Sequence, residues 1–362
     1  MKTASAVDTG APRPQPRPLP EPPESLAASH LTRTRMVATL GVLTAATVAI
    51  LIGACAVGSV HISLMRALTD SASPDHAILF VARMPRVLMG AIVGAILAVV
   101  GAALQALVRN PLAEGGILGI SGGGALGAIL ALIVTWRWAG SAEIVPLCAF
   151  AAALGSTLLV YRLSEVRGEL EPFTLLLIGV ILNAFWGAAI MLVNSVVNFY
   201  YTHSILFWLM GSLASPSWSE IALVGGFGLA GLMVLLAGAR DMNLLSLGDD
   251  AAAELGVDVG RLRRMVFVAT SVMIGAAVSV SGIISFVGLI VPHMLRLALG
   301  SDHRLLIPAS VLGGAAFLVL SDLVARTVIA PAEIPVGAIT ALCGGPFFVY
   351  MLRREGRKAI TL

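Results

Sequence analysis

An all-α polytopic membrane protein with ten transmembrane helices, one re-entrant half-helix and a cytoplasmic pair of short helices is the fold class this sequence predicts. Three observations predict it. Hydrophobic residues make up 58 % of the 362 residues and charged residues 12 %, where a soluble domain carries about 25 % charged. The mean hydropathy is +0.94. The apolar residues come in long runs, and the charges gather in short segments between them, which is the pattern of spans joined by loops. A net charge of +3 spread in that way is not a nucleic-acid-binding face.

The elements follow in order. Residues 1–35 are polar, and seven of the 18 prolines lie between Pro12 and Pro23. Such a segment is expected to be an extended, disordered cytoplasmic tail. It is not a secretory signal, because the first apolar run starts at Met36 and lacks a cleavage pattern at its end. Crossing the hydrocarbon core takes roughly 20 apolar residues. Runs that meet or approach this length are 36–58, 87–107, 116–135, 144–161, 173–196, 218–238, 264–281, 286–298, 305–326 and 335–352. The eighth is short and contains Pro292, so it tilts or breaks. Residues 203–212 are too short to cross and read as a half-helix that dips in and returns. Residues 36–354 thus form one transmembrane domain, and 355–362 form a short cytoplasmic tail.

Glycines at small-xxx-small spacing, Gly90 with Gly94 and Gly123 with Gly127, let spans approach closely. Gly122 to Gly127 matches a literal G-x-G-x-x-G, but it lies inside a span with no strand before it, so it carries no dinucleotide reading. Cys55, Cys148 and Cys343 sit in separate apolar runs, and the six histidines are scattered. No metal site or disulfide framework is predicted. Neither Lys2 nor Lys358 follows a glycine-rich phosphate loop, so the chain carries no P-loop for ATP.

Orientation comes from the basic residues. Ten crossings place 18 of the 23 on the side of the termini. Arg66, Arg83, Arg86, Arg137 and Arg326 fall on the other. The asymmetry puts both termini in the cytoplasm.

Three polar stretches stand out. Residues 239–264 form a cytoplasmic island of helical character. Ser246 and Asp249 have capping-box spacing and are expected to open a short helix that Gly256 closes. Asp258 is expected to cap a second short helix ending in Arg261, Arg263 and Arg264. A helix–glycine–helix on one face of a membrane protein is either an ordinary loop or a handle that an aqueous partner grips. Arg109-Asn110-Pro111 stops the second span, and the glycines up to Gly119 let the chain re-enter with irregular backbone, which usually lines a pathway. On the outer face, Arg83-Met84-Pro85-Arg86 opens the second span, and Arg326 ends the ninth, four residues after Asp322. These arginines either snorkel, Arg326 pairing with Asp322, or form a basic rim for acidic side chains of a partner.

In those stretches the chain resembles the permeases of the vitamin-B12, haem and ferric-siderophore family of bacterial ABC importers, the type II importer fold. The matching motifs are Arg83-Met-Pro-Arg86, Arg109-Asn-Pro-Leu-Ala113 to Gly119-Ile-Ser121, Phe207-Trp-Leu-Met-Gly-Ser212, Met242-Asn-Leu-Leu-Ser-Leu-Gly248, Ala253-Glu-Leu-Gly256, Phe286 to His293, Asp302-His-Arg304, Asp322 to Arg326 and Glu333-Ile-Pro-Val-Gly337. They cover about residues 36–354. The resemblance implies a homodimer in the inner membrane, joined by two ATP-binding cassette subunits that use ATP and Mg, and a periplasmic substrate-binding protein. It implies no cofactor and no catalytic residue in this chain. Arg83, Arg86 and Arg326 would dock the binding protein. Leu247, Gly248, Asp249, Glu254, Gly256 and Arg261 would couple to the ATPase. Asn110, Leu112, Pro172 and Phe173 would form the cytoplasmic gate, with bulkier residues than the small hydroxyl residues some members carry. Asn183, Trp186, Met191, Asn194 and Met210 would line the pathway and enclose cargo without coordinating a metal. The cargo leans to haem over a ferric siderophore, with cobalamin as the alternative.

Two other classes compete. An ion-coupled secondary transporter needs ionisable residues at mid-membrane, and the spans show almost none, Asp322 being the nearest. An intramembrane enzyme needs a His-Glu-x-x-His or a Ser/His pair, and neither is found at recognisable spacing.

Overall fold

Each long apolar run becomes a helix, and several of them start on a side-chain cap. The computed structural model describes residues 32–138, 143–166, 168–214 and 216–360. The expected disordered tail lies outside them up to residue 31, as do the last two residues. Helix α1 (Arg33–Ala56) is capped by Thr32, whose hydroxyl accepts from Arg35 N–H, and only Thr47 and Ala54 on it are buried. It leans on the rest of the chain and otherwise offers apolar side chains to lipid.

After a short α2 (Leu64–Thr69), the chain enters a span earlier than the sequence suggests. Ser73 caps α3 (Pro74–Ala77), which runs through a π-turn, Ile78–Arg83, into α4 (Met84–Val108). The span therefore begins at Pro74 and not at residue 87. Pro85 looks like a helix start but is accommodated inside one. The π-turn before it already runs one residue wide, Met84 N–H reaching Leu79 O, and such bulges absorb a proline.

Helix α4 is the centre of the molecule. It packs on α14 (His303–Thr327), on α12 (Val259–Ser281) and on α13 (Val287–Leu299). The approach is backbone to backbone: a Cβ on Gly94 would stand 2.2 Å from Gly314 O, and one on Gly101 1.8 Å from Gly288 O. Without a hydrophobic force between helices in lipid, such close packing is what holds them together.

The chain leaves α4 with Arg109 in a left-handed conformation (φ 51) and runs irregularly to Gly119 (φ 74). Then come α5 (Ile120–Trp138), α6 (Ile144–Ser164) and a two-residue hairpin, β1 (Glu165–Val166) paired antiparallel with β2 (Glu169–Leu170). No residue pattern announces this hairpin. Glu171 caps α7 (Pro172–Val196), accepting from Phe173 and Thr174 N–H. The re-entrant element is α8 (Phe199–Leu209), shifted from the expected 203–212. Its eleven residues are too short to cross, and Ser212 N–H returns to Ser281 O at the end of α12. Helix α9 (Trp218–Ala237) opens with a full capping box, Ser217 with Glu220. The polar island follows as α10 (Ala239–Leu245) and α11 (Asp249–Glu254). The chain ends in α15 (Val336–Ile360), which runs through the boundary expected at residue 355.

Among the described residues seven helices are long and apolar enough to span a bilayer, and Ile120–Trp136, Val287–Leu299 and Val336–Met351 are shorter apolar helices. Helix α13 carries Pro292 yet runs without interruption from Val287 to Leu299, so the expected break does not occur. Pro292 has no N–H, so the Gly288 carbonyl loses its helical donor. Gln105 of α4 replaces it, Nε2 donating to Gly288 O at 3.2 Å, while Gln105 Oε1 accepts from Arg296 Nη1 at 2.9 Å.

Candidate coupling and gate site

The polar island is built differently from its expected form. Ser246 does not open a helix; it is the C-cap of α10, and its hydroxyl donates to Asn243 O. Gly248, at φ 116, precedes α11 instead, a conformation a Cβ resists. At the far end, Gly256 (φ 89) donates to Ala253 O and Val257 to Ala252 O, a Schellman closure. Asp258 caps Arg261 N–H as expected, but the helix it opens is the whole of α12 and not a short piece.

Met242, Leu245 and Ala252 are buried under the island. Leu247, Glu254, Gly256 and Arg261 are exposed above it, and so is Leu255, which the sequence reading passed over. Leu247 and Leu255, 64 and 59 % exposed, are apolar side chains placed beside charges, which is the composition of a partner-facing surface.

Asp249 joins this surface to the rest of the molecule. Its Oδ2 accepts from Arg263 Nη2 of α12 at 2.7 Å. Its Oδ1 lies 3.2 Å from Arg109 Nη2, a charge contact outside hydrogen-bonding geometry. Arg263 is buried and also donates to Leu170 O of β2. One carboxylate at the start of α11 is therefore tied to the exit of α4 and, through Arg263, to the hairpin before α7. A second tie runs from α10: Asn243 Nδ2 donates to Asp302 Oδ1, and Asn243 Oδ1 accepts from His303 N–H at the start of α14. The Asp302 carboxyl is held at about 2, by its hydrogen bond from Arg304 first and with help from Asn243.

The same residues wall a cavity of about 630 Å³. One side is Val108 to Pro111, the other Glu169 to Phe173, and Asp249 and Arg263 close the base. Asn110, Pro172 and Phe173 of the expected gate are thus brought together. Leu112 is outside the cavity wall; its N–H donates to Asn110 Oδ1 at 2.9 Å. Phe173 is 72 % exposed. A second cavity, about 580 Å³, lies between α6, α9 and α12 at the other end of the spans and shares no residue with this site.

The expected pathway residues divide. Asn183 and Met191 are exposed on α7. Trp186 is half-buried and turns its polar edge inward, Nε1 donating to Ser156 Oγ, which donates to Gly119 O. Asn194 Oδ1 is buried with no hydrogen-bond donor, and Met210 is 39 % exposed.

The outer arginines depart most from expectation. None presents a free guanidinium. Arg83, 6 % exposed, donates to the carbonyls of Cys55, Ala56 and Val60 where α1 ends. Arg326, 4 % exposed, donates to Ala54 O and lies 3.6 Å from Asp322. Arg86 grips Asp322 through Nε and Nη2 and Glu333 through Nη1. Two cations sit at the negative end of the α1 dipole, and the third binds two carboxylates. The reading of Arg326 as paired to Asp322 holds; an open basic rim does not describe this arrangement.

The model of the FecCD transport family matches residues 43–354. The chain is 38 % identical to the hemin transport system permease protein of Yersinia pestis over 87 % of its own length and 95 % of that protein. It is 43 % identical to the cobalamin import system permease protein of Halobacterium salinarum, over 77 % of this chain and 74 % of the relative. A solved structure of a metal-chelate type ABC transporter in an inward-facing conformation superposes with a TM-score of 0.77 at 32 % identity, covering 88 % of this chain and 99 % of the other.

Proposed function

The chain belongs to the FecCD transport family, and from that footing we propose that it is the permease subunit of an ABC importer carrying an iron chelate, haem, from periplasm to cytoplasm. ATP is hydrolysed by a separate subunit, and this chain supplies the path. Two copies assemble with two ATP-binding cassette subunits and receive a periplasmic binding protein. The termini and α10–α11 face the cytoplasm, in keeping with the basic asymmetry of the loops.

One observation carries this reading: the Asp249 junction ties an exposed, partly apolar island to both walls of the cavity at the gate. A partner that displaces α11 must drag Arg109 on one wall and Arg263 with the hairpin on the other. That is the geometry a mechanically driven gate requires. Docking of the binding protein is best served by Arg86, because its partner Glu333 is 42 % exposed and an incoming carboxylate can take its place. Arg83 and Arg326 then act beneath, holding α1 to α4 and α14. Asn183, Met191, Asn194 and Met210 line the path.

Haem is supported by the hemin transport permease of Yersinia pestis, which matches 87 % of this chain and 95 % of its own length. Cobalamin is the second reading, favoured by the higher identity of the other relative. The two separate in a strain lacking its own haem and cobalamin importers and expressing this chain with its ATPase and binding protein. Accumulation of hemin without cyanocobalamin supports the proposal. Accumulation of cyanocobalamin alone replaces the cargo, and uptake of neither, with the complex assembled, overturns both.

A further inference from the structure

The loop between α4 and α5 holds a carboxylate, Glu114. Gly115 is wedged between α12 and α4: a Cβ there would lie 2.7 Å from Ile274 Cδ1 and 3.6 Å from Val100 Cγ1. Val100 is eight residues before the end of α4, which places it about 12 Å along the helix from that end. Against a hydrocarbon core of about 30 Å, Glu114 therefore reaches well into the membrane. Water is scarce at that depth, and a carboxylate there needs a partner. It forms no ion pair among the described residues. Its partner is backbone: Oε2 accepts from Phe286 N–H at 3.0 Å.

Phe286 is the residue before α13, and its φ is 70. A bulky residue rarely holds that conformation unless its surroundings impose it. Here both sides do. The Glu114 carboxylate takes the N–H of this N-cap residue, at the positive end of the α13 dipole. The Phe286 ring lies on α15 at Gly344, where a Cβ would fall 2.3 Å from Cγ. Glu114, Phe286 and Gly344 thus connect the α4–α5 loop, the start of α13 and α15 in one line.

We propose that Glu114 is a positioning residue that ties the α4–α5 loop to the start of α13, so that movement of the loop is passed to α13 and, through Phe286, to α15. The link to transport rests on the permease function proposed above; the link between loop and α13 does not. The proposal is tested in two arms. In the first, amide hydrogen exchange at residues 286–290 is followed in the full chain in lipid nanodiscs. Glu114→Ala removes the acceptor, and exchange at Phe286 should rise at least about tenfold, the equivalent of 1.4 kcal/mol. Glu114→Gln keeps a carbonyl acceptor and should stay within about threefold of the parent. If the alanine variant does not insert, Glu114→Asp, one methylene short, takes its place and should exchange faster than the glutamine variant. Parent-like exchange in the alanine or aspartate variant overturns the proposal.

In the second arm the complete complex is reconstituted with hemin as the probe cargo. Glu114→Ala should cut hemin moved per ATP about tenfold while ATP hydrolysis stays within twofold, and Glu114→Gln should restore at least half. An equal fall in transport and hydrolysis overturns the positioning role. If the parent itself moves no hemin, the cargo reading fails, and the exchange arm alone decides the fate of Glu114.

Discussion

Arg83 shows what one buried guanidinium does when its partners are helix-end carbonyls. It satisfies three acceptors around the end of α1, on residues 23 to 28 positions away in sequence. Arg83→Ala strands those carbonyls. Each unsatisfied buried acceptor costs about 1–3 kcal/mol, with some relief from water at the membrane surface, so a loss of about 2–4 kcal/mol is expected. Thermal unfolding in detergent checks this. Salt discriminates the roles: a docking rim weakens with ionic strength over about 8 Å of screening, whereas the Arg83→Ala defect should be the same in low and high salt and present without any binding protein. Asp302 makes a different kind of prediction. Its folded value of about 2 lies below the ordinary 3.8. The unfolded chain therefore takes up the proton first, and the stabilisation is whole above about pH 4 and drains away as pH falls from 3.8 through 2. Unfolding measured from pH 5 down to 2.5 should show that decline, and Asp302→Asn should lessen it while starting from a lower plateau. A slope identical in the two proteins refutes the assignment.

Among the elements, α11 carries the main claim. It is only six residues long, too short to be a stable helix alone, so its position is set by what Asp249 holds. Asp249→Arg opposes Arg109 and Arg263 and should sever the island from the gate: in the assembled complex, ATP hydrolysis continues while transport falls tenfold or more. Arg109→Asp in the same chain restores an opposite pair on the α4 side and should recover part of the transport, a coupling that a double-mutant cycle isolates. No recovery, with both proteins folded, argues that Asp249 is a local cap. The elements also show where sequence reading reaches its limit. Long apolar runs gave their helices because only hydrogen-bonded helix satisfies the backbone in lipid. Gly256 and Asp258 declared their caps because capping is local. Ser246 misled because its spacing to Asp249 is right, and only the positive φ at Gly248 separates the two. Arg83-Met-Pro-Arg86 misled because proline marks a helix start, and the π-turn that absorbs Pro85 has no signature of its own. The burial of Arg83, the depth of Glu114 and the replacement by Gln105 of the donor missing at Pro292 depend on partners 23 to 183 residues distant, so no local pattern announces them.

At the scale of the whole molecule, one face of α7 is left bare. Helix α7 buries only Leu175, Gly179 and Ile190, while Leu177, Val180, Ile181, Phe185, Met191 and Leu192 lie bare along it. Lipid could cover an apolar face, but Asn183 is exposed on the same helix and the unpaired Asn194 amide oxygen sits one turn beyond Ile190. Polar side chains in a span turn toward protein or a water-filled cavity. A second copy placing its own α7 opposite this one would enclose these amides between two walls, and the enclosed space would be the path. A single cysteine at Met191 tests it. Cys55, Cys148 and Cys343 are free thiols and Cys343 is exposed, so all three must first be replaced by serine or alanine. In native membranes the Met191→Cys protein should then be joined to its twin by a bismaleimide of about 10 Å reach, giving a band of twice the chain mass. Leu223→Cys, exposed on the α9 flank, should not be joined under the same conditions. If Leu223→Cys cross-links as readily as Met191→Cys, the contacts are collisions in a crowded membrane. If neither does while both are labelled by a monofunctional maleimide, the path does not run between two α7 helices, and the cargo must be sought within a single copy.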